Sequence, residues 1–155
     1  FVSGRQEETS FGLKNIRKDR KPRDTNLDIH NWIDEQFYKK FGIKARSQTL
    51  FCMGDLNQTL NYGHPHLIFP IGKFEIIWST KYMDLYNKAY MDMGLERYKD
   101  YFLEDVFPTY KKGNLKQALK SKNEIMLYCN SFKYYLIDAY SKIGKGVVNF
   151  FQKSL

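Results

Sequence analysis

Two short runs, far apart in the chain, carry the side chains best suited to chemistry. The first is Ala45-Arg46-Ser47-Gln48-Thr49-Leu50-Phe51-Cys52-Met53-Gly54, which sets a guanidinium and two hydroxyls near an aromatic ring and leads into a helical segment ending at Tyr62-Gly63. The second, Asn123-Glu124-Ile125-Met126-Leu127-Tyr128-Cys129, opens with a carboxylate and continues apolar. That order puts Glu124 at the rim of a sheet, with the apolar residues inside it. A guanidinium fork matches phosphate oxygens two at a time. Lining one cleft, the two runs would suit an enzyme acting on a nucleotide.

Other candidates have plainer readings. Arg17-Lys18-Asp19-Arg20-Lys21-Pro22-Arg23-Asp24 is a charged loop. It reads either as a solvated connector or as an anion-binding loop, since closely spaced arginines suit phosphate geometry. His30 lies beside an apolar helical stripe, where a structural role is expected. His64-Pro65-His66 is a loop pair with no third ligand at a set spacing, and no Cys/His set has zinc spacing. Cys52 and Cys129 sit inside apolar runs, as buried thiols do.

The elements that must position these residues follow from periodicity. Ile29, Ile33, Phe37 and Phe41 recur every four residues, with Trp32 adjoining. The spacing predicts a helix from Thr25 to Gly42, opened by a variant capping box at Thr25-Asn26-Leu27-Asp28. Ile43 to Met53 reads as a strand, with Ile43, Ala45, Ser47, Thr49 and Phe51 on one face. Gly54-Asp55 caps a short helix. Leu67 to Ile71 and Phe74 to Trp78 read as a hairpin over Gly72-Lys73, with Pro70 marking an edge or a bulge. Ser79-Thr80 caps a helix through about Met93. Leu95 to Val106 follows as a helix ended by Pro108, and a short basic helix lies within Lys111 to Lys122. Glu124 to Cys129 and Phe132 to Ile137 read as a second hairpin over Asn130-Ser131, and Asp138 to Leu155 as a terminal helix. Strands interleaved with helices predict a single α+β domain over residues 1–155, with a mainly antiparallel sheet and flanking helices.

Bulk properties bound the function loosely. The chain has 155 residues, is 43% hydrophobic and carries a formal charge of +8. That is enough apolar material for one core. The charge favours nucleic-acid or acidic-protein partners. No apolar run reaches the length of a membrane span, and Phe1-Val2-Ser3-Gly4-Arg5 lacks a signal-peptide layout, so no membrane partner and a cytoplasmic, reducing location are expected.

The order of motifs between about Arg17 and Ile137 resembles the ADP-ribosyltransferase fold, including small phage-encoded proteins of that type. In that family an early Arg or His is followed by a strand with aromatic and hydroxyl residues leading into a helix, then by a late strand bearing a catalytic Glu. Phe51-Cys52-Met53-Gly54 resembles the second motif and Glu124 the third. Arg17, Arg46 and Arg5 are alternatives for the first. Two positions differ: Met53 stands where a hydroxyl is common, and Lys122 lies two before Glu124, where several members carry Glu or Gln. The second difference argues against arginine as the acceptor.

The resemblance implies a split, mainly antiparallel sheet and NAD as co-substrate. It implies ADP-ribose transfer to a host protein or nucleic acid in a host cytoplasm. Breaking the nicotinamide–ribose bond passes through an oxocarbenium-like transition state, which Glu124 would stabilise. Arg17 or Arg46 would hold the pyrophosphate, Ser47 and Thr49 the carboxamide or the strand geometry. Phe51 belongs to the second motif, and Tyr62 would pack against the nicotinamide ring. The alternative is a non-catalytic basic protein that docks on nucleic acid or an acidic host protein and inhibits it. A nuclease or phosphotransferase using His30, His64 or His66 ranks last, since no paired histidines or acidic metal cluster appear.

Overall fold

The structure, a computed structural model, describes residues 2–4, 11–22, 25–60, 63–85 and 94–137. The expected terminal helix from Asp138, most of the helix expected after Thr80, and Arg5 and Tyr62 lie outside the described residues. The described strands form two four-stranded sheets. One contains β1 (Val2–Gly4), β2 (Phe11–Asn15), β4 (His64–Ile71) and β8 (Ser131–Leu136), in the order β1-β4-β8-β2. The other contains β3 (Leu50–Met53), β5 (Glu75–Ser79), β6 (Tyr110–Lys112) and β7 (Glu124–Tyr128), in the order β3-β7-β5-β6. Every pairing is antiparallel. The chain is therefore α+β with mainly antiparallel sheets.

The second sheet is the middle layer. On one face Ile77 and Met126 pack against Ile29, Ile33 and Phe37 of α1 (Leu27–Phe41), with Phe102 closing the cluster. On the other face Ile76, Trp78, Ile125 and Leu127 meet Ile68, Phe132 and Tyr134 of the first sheet. Both faces of β5 and β7 are thus covered, which explains why Ile125-Met126-Leu127 is apolar without alternation.

Helix α1 obeys its periodicity. Asn26, one residue later than expected, is the N-cap, its side chain accepting from the Asp28 N–H at 2.7 Å. Gly42 ends the helix in the left-handed conformation (φ 74°) that glycine takes without steric cost. After the short α2 (Leu56–Leu60), α3 (Leu95–Tyr101) runs on into a π turn (Phe102–Val106) and a 3-10 turn (Phe107–Thr109), where Pro108 cannot continue the amide ladder.

Three sequence expectations fail. Neither expected hairpin exists, because both pairs of neighbouring strands are divided between the sheets. The link after β4 and the link at Cys129-Asn130 each carry the chain from one sheet to the other. β4 instead pairs with β8, and β5 with β7, across long sequence separations. Apolar residues on both faces of these strands are satisfied only by a second covering layer, which a local hairpin does not supply. Pro70 sits opposite Phe132, beyond the last residue of β4 that β1 reaches (His66), so its missing N–H deprives no neighbour.

The third failure is the strand from Ile43, since only Leu50–Met53 is extended. Residues 45–47 form a turn pinned to α1. Asp34 accepts the backbone N–H groups of Arg46 (2.7 Å) and Ser47 (3.1 Å) and the Ser47 hydroxyl. The Gln48 N–H donates to the Lys44 carbonyl at 2.8 Å, and the Thr49 hydroxyl to the Ala45 carbonyl. A buried carboxylate collecting successive amides curls the chain as a helix cap does, and this outweighs the alternating pattern.

Candidate functional site

Glu124 stands at the entrance of β7, and the residues before it hold it there. Lys122 ends α4 (Leu115–Ser121) with φ 61°. The Asn123 N–H donates to the Ser121 hydroxyl at 3.1 Å, and the Asn123 side-chain amide donates to the Ser79 carbonyl at 2.8 Å. Helix α4 itself is seated by Gly54, where any Cβ would collide with the Leu119 carbonyl. The Gly54 of the second motif thus sets where the chain enters the strand that bears the carboxylate.

Register places Met53 opposite Glu124 and Phe51 opposite Met126, so all four share the face turned toward α1. Glu124 is 9% exposed. Its backbone N–H donates to the Met83 carbonyl at 3.0 Å, and the Leu85 N–H donates to its carboxylate. Among the described residues the carboxylate oxygen Oε1 is buried without a hydrogen-bond partner. Burial, and then the negative charge of Asp84, push the Glu124 pKa up to about 8, against the opposing pull of Arg46 and Arg20. The group is largely neutral at pH 7, and an approaching cation would favour its ionised form.

Arg20 comes closest to the role expected of the basic loop. Its guanidinium lies 4.3 Å from the centre of the Phe51 ring, and its backbone N–H donates to the Ser47 carbonyl at 3.2 Å. Burial lowers its pKa while Glu124 raises it, so the two groups feel each other's charge. Arg17, three residues earlier, is directed elsewhere: its Nε is 3.4 Å from Asp19, and both side chains are exposed.

Arg46 is buried and occupied. Its Nε donates to His30 Nδ1 at 3.3 Å and its Nη2 to Thr25 Oγ1 at 3.3 Å. Because His30 Nδ1 accepts, the ring proton belongs on Nε2, which faces the Ser47 hydroxyl at 3.0 Å. Burial first, and Arg46 beside it, hold the His30 pKa down although Asp34 pulls it up. His30 is a neutral structural residue, as its place on α1 suggested. Ser47 and Thr49 spend their hydroxyls within the same turn. Among the expected site residues the structure gathers Glu124, Phe51 and Arg46 within one electrostatic environment. It commits Ser47 and Thr49 to the turn, and Tyr62 lies outside the described residues.

Sequence reasoning missed Arg20 as an individual, and Asp84 and the Leu85 amide entirely. Arg20 had a signal in its loop, but nothing in Lys18-Asp19-Arg20-Lys21 says which cation turns inward. Among the described residues no group of three or more His, Cys, Asp or Glu side chains is arranged to hold a metal ion. No helix among them is long and apolar enough to cross a membrane. The chain matches no protein-family model, no curated protein and no solved structure.

Proposed function

We propose that this protein is an NAD-consuming ADP-ribosyltransferase whose catalytic group is Glu124, transferring ADP-ribose to a macromolecule of a phage's host. The observation that carries the reading is the Glu124 carboxylate, buried and held at one oxygen by the Leu85 N–H, with Oε1 unpartnered near two guanidinium groups. An unpartnered buried oxygen is costly unless something uses it. A ribose hydroxyl is a fitting donor, and the oxocarbenium-like transition state supplies the positive charge that would draw the carboxyl into its ionised form. The division of the antiparallel strands into two sheets supports the same reading.

In this scheme Arg20 meets the pyrophosphate, since Arg46 has spent much of its donor set on His30 and Thr25. Stacking on Phe51 holds the Arg20 fork with little rotational freedom left to lose. Arg46 adds positive charge behind the site and keeps the turn at residues 45–47 in place. Bond cleavage releases nicotinamide with the electron pair of the broken C–N bond, and an acceptor nucleophile takes up the ribose carbon.

The deciding experiment incubates labelled NAD with a bacterial lysate, wild type beside Glu124→Gln. Label transferred to protein or nucleic acid by wild type, reduced at least about 100-fold in the variant while NAD still binds, supports the reading. No transfer and no nicotinamide release from folded wild type would refute it.

A further inference from the structure

The outer face of the β1-β4-β8-β2 sheet presents an unusual surface. The register sets Phe11 opposite Tyr135, Tyr135 opposite Leu67, and Lys133 between Leu13 and Phe69. These residues therefore alternate onto one face, turned away from the core that Phe132 and Tyr134 enter; at one end of that face Leu67 packs against Leu56 and Ile137, and the rest is open. On it Phe11 is 67% exposed and Leu13 64%, while Phe69, Ile71 and Tyr135 are each exposed by 40% or more. The Phe11 and Tyr135 rings lie nearly parallel at 6.4 Å between centres, and Phe69 meets Tyr135 edge-on at 5.7 Å. Aromatic rings gathered on three adjacent strands and left in water are seldom found without a ligand.

Charge selects among the occupants. None of the four strands of this sheet contains an aspartate or glutamate, whereas Lys133 stands in the middle of the face; Lys14 of β2 alternates to the opposite face, over the Tyr134 ring. The chain as a whole carries +8. A second copy docked face to face would bring Lys133 against its own counterpart with no carboxylate on the described strands to separate them. The complementary ligand is polyanionic and offers flat apolar surfaces at intervals of one residue. Single-stranded nucleic acid has both properties, while a duplex hides its base faces.

We propose that the outer face of this sheet binds single-stranded nucleic acid, with Phe11, Tyr135 and Phe69 stacking on about two or three bases and Lys133 meeting the phosphate backbone. The surface lies on the far side of the first sheet from Glu124, and the inference stands independently of whether Glu124 turns over NAD. Should both hold, the face would bring a nucleic-acid acceptor to the enzyme.

Fluorescence anisotropy with labelled 12-mers of oligo(U) and oligo(dT), alone and hybridised to a complement, tests this on the whole chain. Single strands should bind more tightly than duplexes, and affinity should fall with salt. Phe11→Ala and Tyr135→Ala should each weaken binding about tenfold or more. Lys133→Gln should flatten the slope of log affinity against log salt by roughly 0.7. Glu124→Gln should bind as wild type does. Ultraviolet crosslinking of wild type to 4-thiouridine RNA, mapped by mass spectrometry, checks the face without any substitution and should mark peptides containing Phe11, Phe69 or Tyr135. The proposal is overturned if wild type binds no oligonucleotide, if duplexes bind equally well, or if crosslinks fall elsewhere. It is also overturned if the alanine variants leave affinity unchanged while dissolving a dimer, which would make the face a protein interface.

Discussion

Asp34 and Glu124 are both carboxylates withdrawn from water, at 3% and 9% exposure, yet the fold serves them in opposite ways. Asp34 receives two backbone N–H groups and a hydroxyl, with the His30 ring 3.6 Å away. Its oxygens are spent, and its work is to hold the turn at residues 45–47 against α1. Glu124 receives the Leu85 amide on its carboxylate, keeps Oε1 without a partner among the described residues, and has Asp84 nearby to disfavour its charge. A buried carboxylate whose hydrogen bonds are complete stabilises structure. One left incomplete beside guanidinium groups is poised for a ligand. Burial alone does not separate the two; the accounting of donors does.

The contrast is broken most severely at Asp34. Asp34→Ala leaves the Arg46 and Ser47 amides buried without acceptors, each worth about 1–3 kcal/mol. Urea denaturation should show a loss of roughly 3 kcal/mol or more, with NAD binding reduced as the turn loosens. Glu124→Gln should leave stability at neutral pH at or above that of wild type, because it replaces a group that burial penalises when charged.

The same pair separates by pH. The folded Glu124 pKa of about 8 lies above the ordinary 4.5, so the native state holds a proton that the unfolded chain gives up between those values. Stability from this group is complete below pH 4.5 and is lost as pH rises through 8. Glu124→Gln should therefore unfold at higher urea than wild type at pH 8, with the gap narrowing toward pH 5. Equal midpoints at both pH values would show that Glu124 is not buried as described.

At the guanidinium groups the expected effects are smaller. Arg20→Ala should weaken NAD binding about tenfold while changing the unfolding free energy by about 1 kcal/mol or less, because its guanidinium is held by stacking on the Phe51 ring. Arg46→Ala should do the reverse, costing stability first, because it strips donors from His30 and Thr25. Titration calorimetry beside urea denaturation distinguishes the two arginines.

Much of this was legible in the chain. The stripe Ile29, Ile33, Phe37 fixes α1 because helical periodicity is local, and Glu124 stood out because a carboxylate opening an apolar run belongs at a sheet rim. The α+β class with antiparallel strands follows from the same spacing. Strand partners were not legible. Gly72-Lys73 and Asn130-Ser131 look like hairpin turns, and only the covering of both strand faces by separate layers sends the neighbours to different sheets. Asp34 was equally hidden. An acid four residues after a histidine on a helix reads as a solvated pair until the turn at residues 45–47 folds over it. Arg20 is one cation among several in its loop, and only the position of Phe51 selects it.

Asp84 offers the finest adjustment of the comparison, because it moves Glu124 toward the condition of Asp34 without touching its burial. Its negative charge is second to burial in raising the Glu124 pKa. Asp84→Asn removes that charge and leaves the desolvation, so the pKa should fall and remain above the ordinary carboxylate range. A reaction that needs ionised Glu124 rises in kcat/KM as pH climbs through the pKa of the free enzyme. The wild-type profile should therefore climb through about 8, and the Asp84→Asn profile through a lower pH with a similar plateau. Nicotinamide release followed from pH 6 to 9.5 reads this directly. A lower plateau with no shift would give Asp84 a part in binding instead, whereas a shift with the plateau preserved identifies Glu124 as the titrating group.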